Sequence, residues 1–360
     1  MKSVRTLLFL LLLLIVADEA MAQDPHFSQF YASPLSLNPA LTGAFSGSSR
    51  ASAIYRDQWR GVLDNPYVSF SGAVDLRFPL NISARHDDAI GIGMMFFSDR
   101  VDVVDFNFNQ LAFSASLHKA LDWGGTQYLT IGLQGGVSQR NLNYENLTFE
   151  DQFNGTTGYT FASAEFLPEN NYAYGDLAVG VTYTYNPARR TLFQVGGAIH
   201  HVTRPRVSFY ALPEEGPLPD EGEGVNLYRR YSAQVSAEIP LQKSGDVSLL
   251  PRMLFATMGP HMELTAGSNI RFAFPSNLNM AIQLGGWIRP VRNTNSAADQ
   301  WGIDAVAALL GLEISNLFIG ISYDINLDDL VDYRQGQTAF ELSITYIGSF
   351  EEEDVLCPSF

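Results

Sequence analysis

Apolar residues alternate with polar or small residues along most of the chain, with a period of two. Clear runs lie at 129–138, 176–185, 232–239, 262–272 and 340–346. Successive side chains of a β-strand point to opposite faces, so this period predicts strands with one apolar and one polar face. Because no sustained helical period replaces it, the pattern predicts an all-β protein.

The alternating runs are numerous and similar in length. There are about 14 candidate strands of roughly 8 to 13 residues, a length that crosses a bilayer when the strands are tilted. They centre on Ala53, Ala73, Met94, Phe113, Leu133, Val179, Gly197, Val235, Leu250, Ala266, Leu284, Ala307, Ile321 and Ile344. The runs around Leu250 and Ala307 are the weakest, the first because it contains Pro251 and the second because it alternates poorly.

The connections between the candidate strands differ in length in a regular way. Long connections are odd-numbered and include 141–171 and 203–227, whereas the even-numbered connections are short. This asymmetry is typical of bacterial outer-membrane barrels. A soluble β-sandwich has no reason to sort its loops by parity, and its outer faces are polar.

Lipid requires every backbone N–H and C=O to be paired within the protein, so strands that span a membrane must close into a barrel. We therefore predict an antiparallel, transmembrane outer-membrane β-barrel over residues 49–348. Its apolar face would contact lipid and its polar face the lumen, with the long connections outside and both termini on the periplasmic side. Residues 349–360 are predicted to form an acidic periplasmic C-terminal tail.

The first 22 residues have the features of a cleaved signal peptide. Lys2 and Arg5 precede an apolar stretch at 7–16, and Ala20 and Ala22 supply the small residues that signal peptidase recognises. The stretch is too short to span a membrane as a helix. Cleavage after Ala22 would leave Gln23 as the first residue of an exported protein, and the barrel would lie in the outer membrane of a Gram-negative bacterium.

Composition excludes several other classes of protein. The chain is 46% apolar, 12% aromatic and 17% charged, with a formal net charge of -16. Soluble domains carry about 25% charged residues, and a disordered acidic chain would lack aromatic residues. Strong acidity also disfavours nucleic-acid binding. The one cysteine, Cys357, cannot form an internal disulfide.

The segment that follows the predicted cleavage site fits neither a strand nor a helix. Pro25, Pro34 and Pro39 interrupt it, and its apolar side chains are irregularly spaced. It is nevertheless too apolar to remain free in solution. We predict that residues 23–48 lie in or under the lumen, either as a plug that stabilises the barrel or as a docking surface for a partner.

Five blocks of sequence resemble a known family. They are QDPHFSQFYASPLSLNPALTG at 23–43, YRDQW at 55–59, NPY at 65–67, GISYDIN at 320–326 and CPSF at 357–360. On these blocks the chain resembles the PorP/SprF family of Bacteroidota, membrane proteins of the type IX secretion system.

The resemblance implies a function without catalysis. The barrel would bind a cognate secreted protein, such as a gliding adhesin, through its C-terminal sorting domain and help to export it or anchor it at the cell surface. Periplasmic and outer-membrane components of the machinery would be further partners, besides the lipid bilayer. The residues that carry the resemblance are the candidates for partner or client docking: Gln23, Asp24, Pro25, His26, Phe27, Phe30, Tyr31, Asn38, Pro39, Cys357, Pro358 and Phe360.

Charged and glycine residues on the polar faces indicate what the lumen holds. Charges expected to face the lumen are Arg140, Glu238, Glu263, Arg271 and Arg289. They would form a lumen charge network or contact a polypeptide that enters the barrel. Glycines on the same face, at Gly132, Gly136, Gly180 and Gly285, would leave room for a filling or allow strands to curve.

No motif nominates catalysis, a cofactor or a metal. The six histidines never form a His-Glu-x-x-His zinc motif, and no phosphate-binding glycine loop is present. His200 and His201 are expected to point to opposite faces of a strand end. The alternative function is a diffusive porin or a small-solute transporter, and a membrane-embedded hydrolase has no candidate nucleophile.

One acidic segment partly imitates a calcium-binding loop. Asp324, Asn326 and Asp328 copy its first three ligand positions, but Asp329 stands where the turn needs Gly and Gln335 where a bidentate Glu is needed. We therefore expect a solvated acidic loop here, with weak surface calcium binding as the alternative.

Overall fold

The fold is described from a computed structural model of the chain. The structure describes residues 26–60, 66–80, 88–101, 105–145, 147–165, 167–188, 191–209, 226–274, 279–293, 300–327 and 338–348. Within these ranges no helix has the length and apolar character needed to cross a membrane.

The described residues form a closed barrel of fourteen antiparallel strands, in which each strand pairs with the next and β14 pairs with β1. The strands are β1 Ser49–Gln58, β2 Tyr67–Leu80, β3 Asp88–Val101, β4 Phe106–Ala120, β5 Gln127–Leu142, β6 Asn171–Ala188, β7 Thr191–His200, β8 Arg230–Pro240, β9 Val247–Met258, β10 His261–Ala273, β11 Met280–Asn293, β12 Gln300–Ile314, β13 Leu317–Asn326 and β14 Thr338–Gly348. The predicted fold is confirmed, and each predicted centre lies within its own strand.

Short helical turns lie outside the strands. In the described residues they are Phe30–Ala32, Pro34–Leu37, Pro39–Leu41 and Glu150–Gln152. The first three follow one another in the segment that precedes β1.

The strand that contains Pro251 shows how proline is accommodated. The pairing of β8 with β9 skips Leu250 and Pro251 and resumes at Leu249. Proline has no N–H to donate to a ladder, so the interruption falls where a bond to β8 cannot form.

The two faces of each strand differ as the alternation requires. On β5, Ile131, Leu133 and Val137 are more than half exposed on the outer surface of the barrel, whereas Gln134 and Ser138 on the other face are buried. An outward-facing apolar band is the surface that a barrel presents to lipid.

The barrel has two distinct rims. The rim that carries the odd-numbered connections, including those between β5 and β6 and between β7 and β8, is called the long-loop rim. The opposite rim, where β1 begins and β14 ends, is called the short-loop rim.

The start of the described chain corrects one expectation. We expected both termini on the same side; Gln23 and Phe360 lie outside the described residues, but the first described residue, His26, lies 3.5 Å from Glu263, two residues from the long-loop end of β10. Gly348 ends β14 at the short-loop rim. The reason is that residues 26–48 run through the lumen from one rim to the other before β1 begins.

Candidate functional site

Residues 26–48, called the plug below, fill the middle of the lumen. Pro34 and Pro39 each open a helical turn, a position that a residue without an N–H occupies at no cost. Asn38 separates the two turns, and its Oδ1 accepts a hydrogen bond from the Ala40 N–H at 2.8 Å. Most plug side chains are buried: Phe27, Ser28, Gln29, Phe30, Ala32, Ser33, Leu35, Leu37, Asn38, Ala40, Leu41 and Thr42.

The first turn of the plug is held by a carboxylate of the last strand. The backbone N–H groups of Ser28 and Gln29 donate to the two carboxylate oxygens of Glu341, at 2.7 and 2.9 Å. The Gln29 side chain also donates to Ser322 at 3.1 Å and accepts from Ser343 at 2.8 Å. These bonds fix the plug to β13 and β14 near the long-loop rim.

A charge cluster surrounds this attachment, made up of Arg56, Arg289, Asp304, Asp324 and Glu341. Arg56 forms ion pairs with Glu341 and, at 3.1 Å, with Asp324. Arg289 pairs with Asp304 at 2.7 Å and with Asp324 at 3.3 Å. The side chains of Arg56, Asp324 and Glu341 are at most 2% exposed. Buried charges of this kind persist only when each has opposite charges or hydrogen bonds around it.

Ser28 belongs to the charge cluster through its hydroxyl group. Its Oγ donates to Asp324 and accepts from Arg289 Nη1 at 3.0 Å. The plug therefore supplies one of the hydrogen-bonding groups that the buried charges need.

Three of the sequence blocks that carry the family resemblance meet at this point. Ser28 and Gln29 come from the first block, Arg56 from the second and Asp324 from the GISYDIN block. Blocks separated by up to about 300 residues of chain are thus parts of one arrangement that seats the plug.

Next to the charge cluster, the plug packs against the barrel wall by apolar and aromatic contacts. Leu35 and Phe27 pack with Met95 and Phe97 of β3. Tyr31 stacks on Trp287 with ring centroids 5.8 Å apart. The Arg252 guanidinium lies 4.0 Å from the Tyr31 ring centroid, within the range of a cation–π contact.

Two of the predicted lumen glycines form the seat of the third turn. A Cβ atom at Gly180 would overlap Asn38 Oδ1, and one at Gly132 would overlap the backbone of Pro39 and Ala40. Only glycine permits this close approach of the plug to β5 and β6. Gly136 and Gly285 instead allow close contact with Leu111 and Ala112 and with Asn269 on neighbouring strands.

Asn38 connects the third turn to the barrel wall. Its Nδ2 donates to the carbonyl oxygens of Val181 at 3.2 Å and Gly197 at 3.1 Å. This side chain therefore caps a turn of the plug and bonds to two strands at once.

Replacing Asn38 with alanine is expected to loosen the plug. The variant loses these bonds and leaves buried polar groups without partners, which costs about 1–3 kcal/mol for each unpaired group. We expect faster proteolytic cleavage within residues 26–48 of the purified protein, measured by mass spectrometry. Asn170→Ala, in the exposed connection before β6, is the matched control, and equal cleavage rates in the two variants would contradict the prediction.

The end of the plug is held near the short-loop rim. The Gly43 N–H donates to Asp75 at 2.7 Å, and Arg50 pairs with the same carboxylate and donates to the Leu41 carbonyl oxygen at 2.9 Å. Gly43 has a φ of +70°, the left-handed region that favours glycine. Ser116 and His118 of β4 both lie within hydrogen-bond distance of the Thr42 carbonyl oxygen.

The first described residue has an altered pKa. Burial lowers the pKa of His26 to about 4, although nearby Glu263 favours the charged imidazolium. The imidazole is therefore neutral at neutral pH, and its contact with Glu263 is not an ion pair.

The structure places the five charges that were predicted to face the lumen. Glu263 lies beside His26, and Arg289 belongs to the charge cluster. Arg271 pairs with Glu313 at 2.7 Å. Arg140 lies about 6 Å from the ring centroids of Phe108 and Tyr174, and Glu238 lines a cavity at the short-loop rim.

Two expectations about individual residues are wrong. His200 and His201 do not point to opposite faces: both are buried, His200 beside the Leu37 carbonyl oxygen and His201 2.6 Å from Asp176. The strand ends there, because His201 has a φ of +56° and alternation stops.

Asp324 is not part of a solvated loop, because it is a fully buried member of the charge cluster. Asp328, Asp329 and Gln335 lie outside the described residues.

The candidate docking residues are only partly covered by the structure. His26, Phe27, Phe30, Tyr31, Asn38 and Pro39 all lie in the plug. Gln23, Asp24 and Pro25 lie outside the described residues, as do Cys357, Pro358 and Phe360, the predicted signal peptide and the acidic tail. Sequence reasoning did not select Arg56, Asp75 or Glu341, although charges on the polar face of a predicted strand were the available signal.

Cavities lie on both sides of the plug in the described part of the barrel. The short-loop cavity, of about 1110 Å³, is lined by residues that include Phe45, Tyr128, Gln194 and Glu238. The long-loop cavity, of about 220 Å³, has His26 among its lining residues. In the part of the chain that the structure describes, no group of three or more His, Cys, Asp or Glu side chains is arranged to hold a metal ion.

Comparison with known proteins gives a family match that covers most of the chain. The family described as type IX secretion system membrane protein PorP/SprF matches residues 20–346. No curated protein matches the sequence.

Several solved structures are similar at low sequence identity. CdiB from Acinetobacter baumannii has 10% identity and a TM-score of 0.43, with 83% of this chain and 60% of that chain covered. BamA from Haemophilus ducreyi lacking POTRA domains 1-3 has 11% identity and a TM-score of 0.44, covering 84% and 70%. A Pseudomonas aeruginosa FadL homologue has 13% identity and a TM-score of 0.46, covering 86% and 92%. The chain thus spans less than two thirds of the length of CdiB, and these likenesses carry no argument about what it binds.

Proposed function

The chain belongs to the PorP/SprF family of type IX secretion system membrane proteins, and on that premise we propose that this outer-membrane barrel binds a cognate secreted protein. Through the C-terminal sorting domain of that protein it would assist export or attachment to the cell surface, including the attachment of gliding adhesins. It works by binding, without catalysis.

The seated plug is the observation that carries this proposal. It is bonded to β13 and β14 at one end and to β1, β2 and β4 at the other, and its apolar residues pack within the lumen. A diffusive porin needs a free aqueous path through the lumen. A filled lumen favours a barrel that acts through its rims.

The long-loop rim supplies a surface for the secreted protein. Long connections face outside in barrels of this type. The connection between β5 and β6 exposes Phe153, Tyr159 and Phe161, which are 44%, 54% and 58% accessible. Aromatic side chains presented in this way are typical of protein-binding surfaces.

The short-loop rim would then face the periplasm. On this proposal the tail 349–360 leaves β14 on the periplasmic side, where Cys357, Pro358 and Phe360 would meet components of the secretion machinery. The proposal also includes cleavage of the signal peptide after Ala22 and an origin in Bacteroidota.

Deleting residues 23–36 tests the role of the plug in secretion. We expect the deletion to abolish export of the cognate protein, measured by mass spectrometry of the cell-surface and medium fractions. The barrel should still resist heated detergent in electrophoresis, because the fourteen described strands pair with one another and not with those residues. Normal secretion by this variant would contradict a docking role.

Locking the plug in place with a disulfide tests whether secretion requires passage of the secreted protein through the lumen. The hydroxyl oxygens of Ser33 and Ser71 are 2.7 Å apart, so cysteines at both positions in a Cys357→Ser background should form a disulfide between plug and β2. We expect the locked barrel to secrete normally. Loss of secretion that a reductant restores would show that cargo passes through the lumen instead.

A further inference from the structure

The connection between β5 and β6 contains a small folded unit, residues 150–165, called the aromatic hairpin below. Phe153 and Tyr159 form a β-bridge across it, and their ring centroids lie 5.3 Å apart. At its tip the Asn154 N–H donates to the Gly158 carbonyl oxygen at 2.8 Å. The aromatic hairpin therefore has a defined shape within a long connection.

Hydrogen bonds also close the base of the aromatic hairpin. The Asp151 carboxylate accepts from the Ser163 hydroxyl at 2.9 Å and from the Ala164 N–H at 2.6 Å. Between this closure and the tip, the Phe161 N–H donates to the Gln152 carbonyl oxygen at 3.1 Å. Since base, middle and tip are all bonded, little further conformational entropy is lost when a partner binds to this unit.

Three aromatic side chains of the aromatic hairpin are exposed although its backbone is bonded. They belong to Phe153, Tyr159 and Phe161. Aromatic side chains cover a large contact area with few rotatable bonds, and they are common anchors of protein interfaces. Their number and their fixed spacing make the aromatic hairpin suited to binding a partner with an apolar centre.

The charges of this connection all have the same sign. Residues 141–171 contain five carboxylates and no lysine, arginine or histidine. Exposed side chains that form no ion pair with another described residue are those of Glu145, Glu150, Glu165 and Glu169. Two of them, Glu150 and Glu165, are the first and last residues of the aromatic hairpin, so carboxylates flank its rings along the chain.

These charges decide which partner the exposed rings fit. Carboxylates are costly to move toward the hydrocarbon of a bilayer, and anionic headgroups repel an acidic segment. A basic polypeptide gains from both features of the aromatic hairpin, because lysine and arginine pair with carboxylates and also bind to the faces of aromatic rings. Charge complementarity therefore favours a basic protein surface over lipid.

We propose that the aromatic hairpin docks a basic patch of the secreted protein, in which lysine or arginine side chains surround an apolar centre. This inference rests on the proposed function, because it gives the chemistry of the partner that the long-loop rim receives. Phe153 and Phe161 contact the apolar centre, and Glu150 and Glu165 attract the cations. The acidic connection speeds association, and the rings supply most of the affinity.

Charge reversal in cells tests the electrostatic part of the proposal. Glu150→Lys combined with Glu165→Lys should lower export of the cognate protein at least roughly tenfold, measured by mass spectrometry of the cell-surface and medium fractions. Glu145→Lys combined with Glu169→Lys is the matched control, since it reverses two exposed carboxylates of the same connection outside the aromatic hairpin. The control should lower export less than about twofold, and equal export by the two variants would overturn the proposal.

Photochemical crosslinking in cells tests the identity of the partner. Phe161 is replaced by the photoreactive amino acid benzoylphenylalanine, and the same replacement at Ser244, an exposed position in the β8–β9 connection, is the control. We expect position 161 to capture peptides of a secreted protein that contain lysine or arginine beside apolar residues, and position 244 not to capture them. Crosslinks to lipid alone, to acidic peptides, equally from both positions, or none at all would overturn the proposal.

The deletion of residues 23–36 keeps this proposal separate from the proposed function. If that deletion stops export while the variants of the aromatic hairpin export normally, the docking of a basic patch is wrong and the proposed function stands. If neither change affects export, both are wrong.

Discussion

Replacing Arg56 with methionine is expected to lower the free energy of unfolding by about 3–5 kcal/mol. Methionine fills a similar volume, but it leaves Asp324 and Glu341 buried without their shared cation. Glu341 is also the carboxylate that accepts from the N–H groups of Ser28 and Gln29, so the change acts on the long-loop attachment of the plug as well. The temperature at which the folded band disappears in heated-detergent electrophoresis measures the loss.

Two further variants make this expectation specific to the buried cluster. Arg60→Met removes an exposed arginine that pairs with Asp57 just beyond β1, and it should leave the transition unchanged. Glu341→Gln combined with Arg56→Met should be less destabilising than the sum of the single changes, since each variant removes the same interaction. Additive losses, or an Arg60→Met effect of similar size, would show that Arg56 has no special role.

Replacing Gly180 with valine is expected to expel the third turn of the plug while the barrel stays folded. The new side chain would occupy the position of the Asn38 side chain, which donates to the carbonyl oxygens of Val181 on β6 and Gly197 on β7. Overpacking of this kind costs typically about 1–3 kcal/mol, and the plug can relieve it by moving because it is not part of the strand ladder. We expect ion current through planar bilayers well above that of the unaltered barrel.

Gly175→Val is the matched control for this variant. Gly175 lies on the same strand but on the exposed outer face, where the nearest atom to an added Cβ is 3.9 Å away. It should conduct no more current than the unaltered protein. Equal conductance of the two valine variants, or no current from Gly180→Val, would show that the third turn does not block the lumen.

The sequence predicted the barrel well because the signal is local. Each strand alternates within its own residues, and a closed barrel is the one way to satisfy the backbone of such strands in lipid. Even the weak runs at Leu250 and Ala307 are strands, since their neighbours pair with them along most of their length. Pro251 weakens the local pattern but interrupts the pairing for only two residues.

The seat of the plug could not be predicted in the same way, because its contacts join distant residues. The pairing of Arg56 with Glu341 links positions 285 residues apart, and no local period indicates it. The glycines at 132 and 180 indicated either a filling of the lumen or strongly curved strands, and they did not indicate which segment lies against them or from which rim it enters. Residues 26–48 cross the lumen, so His26 lies at the long-loop rim and not at the short-loop rim. The sequence could not predict this, because an irregular segment carries no signal of its direction.

The attachment of the plug joins three pieces of chain, the plug, the first strand and the last strand, of which the strand ladder joins only the two strands. Glu341 belongs to the last strand and Arg56 to the first. The Glu341 carboxylate pairs with Arg56 and also accepts hydrogen bonds from the plug. The seam between β1 and β14 is thus held by contacts on its lumen side as well as by the pairing of the two strands. A barrel pinned in this way resists opening sideways into lipid, so under the proposed function a secreted protein would arrive and depart by way of the rims.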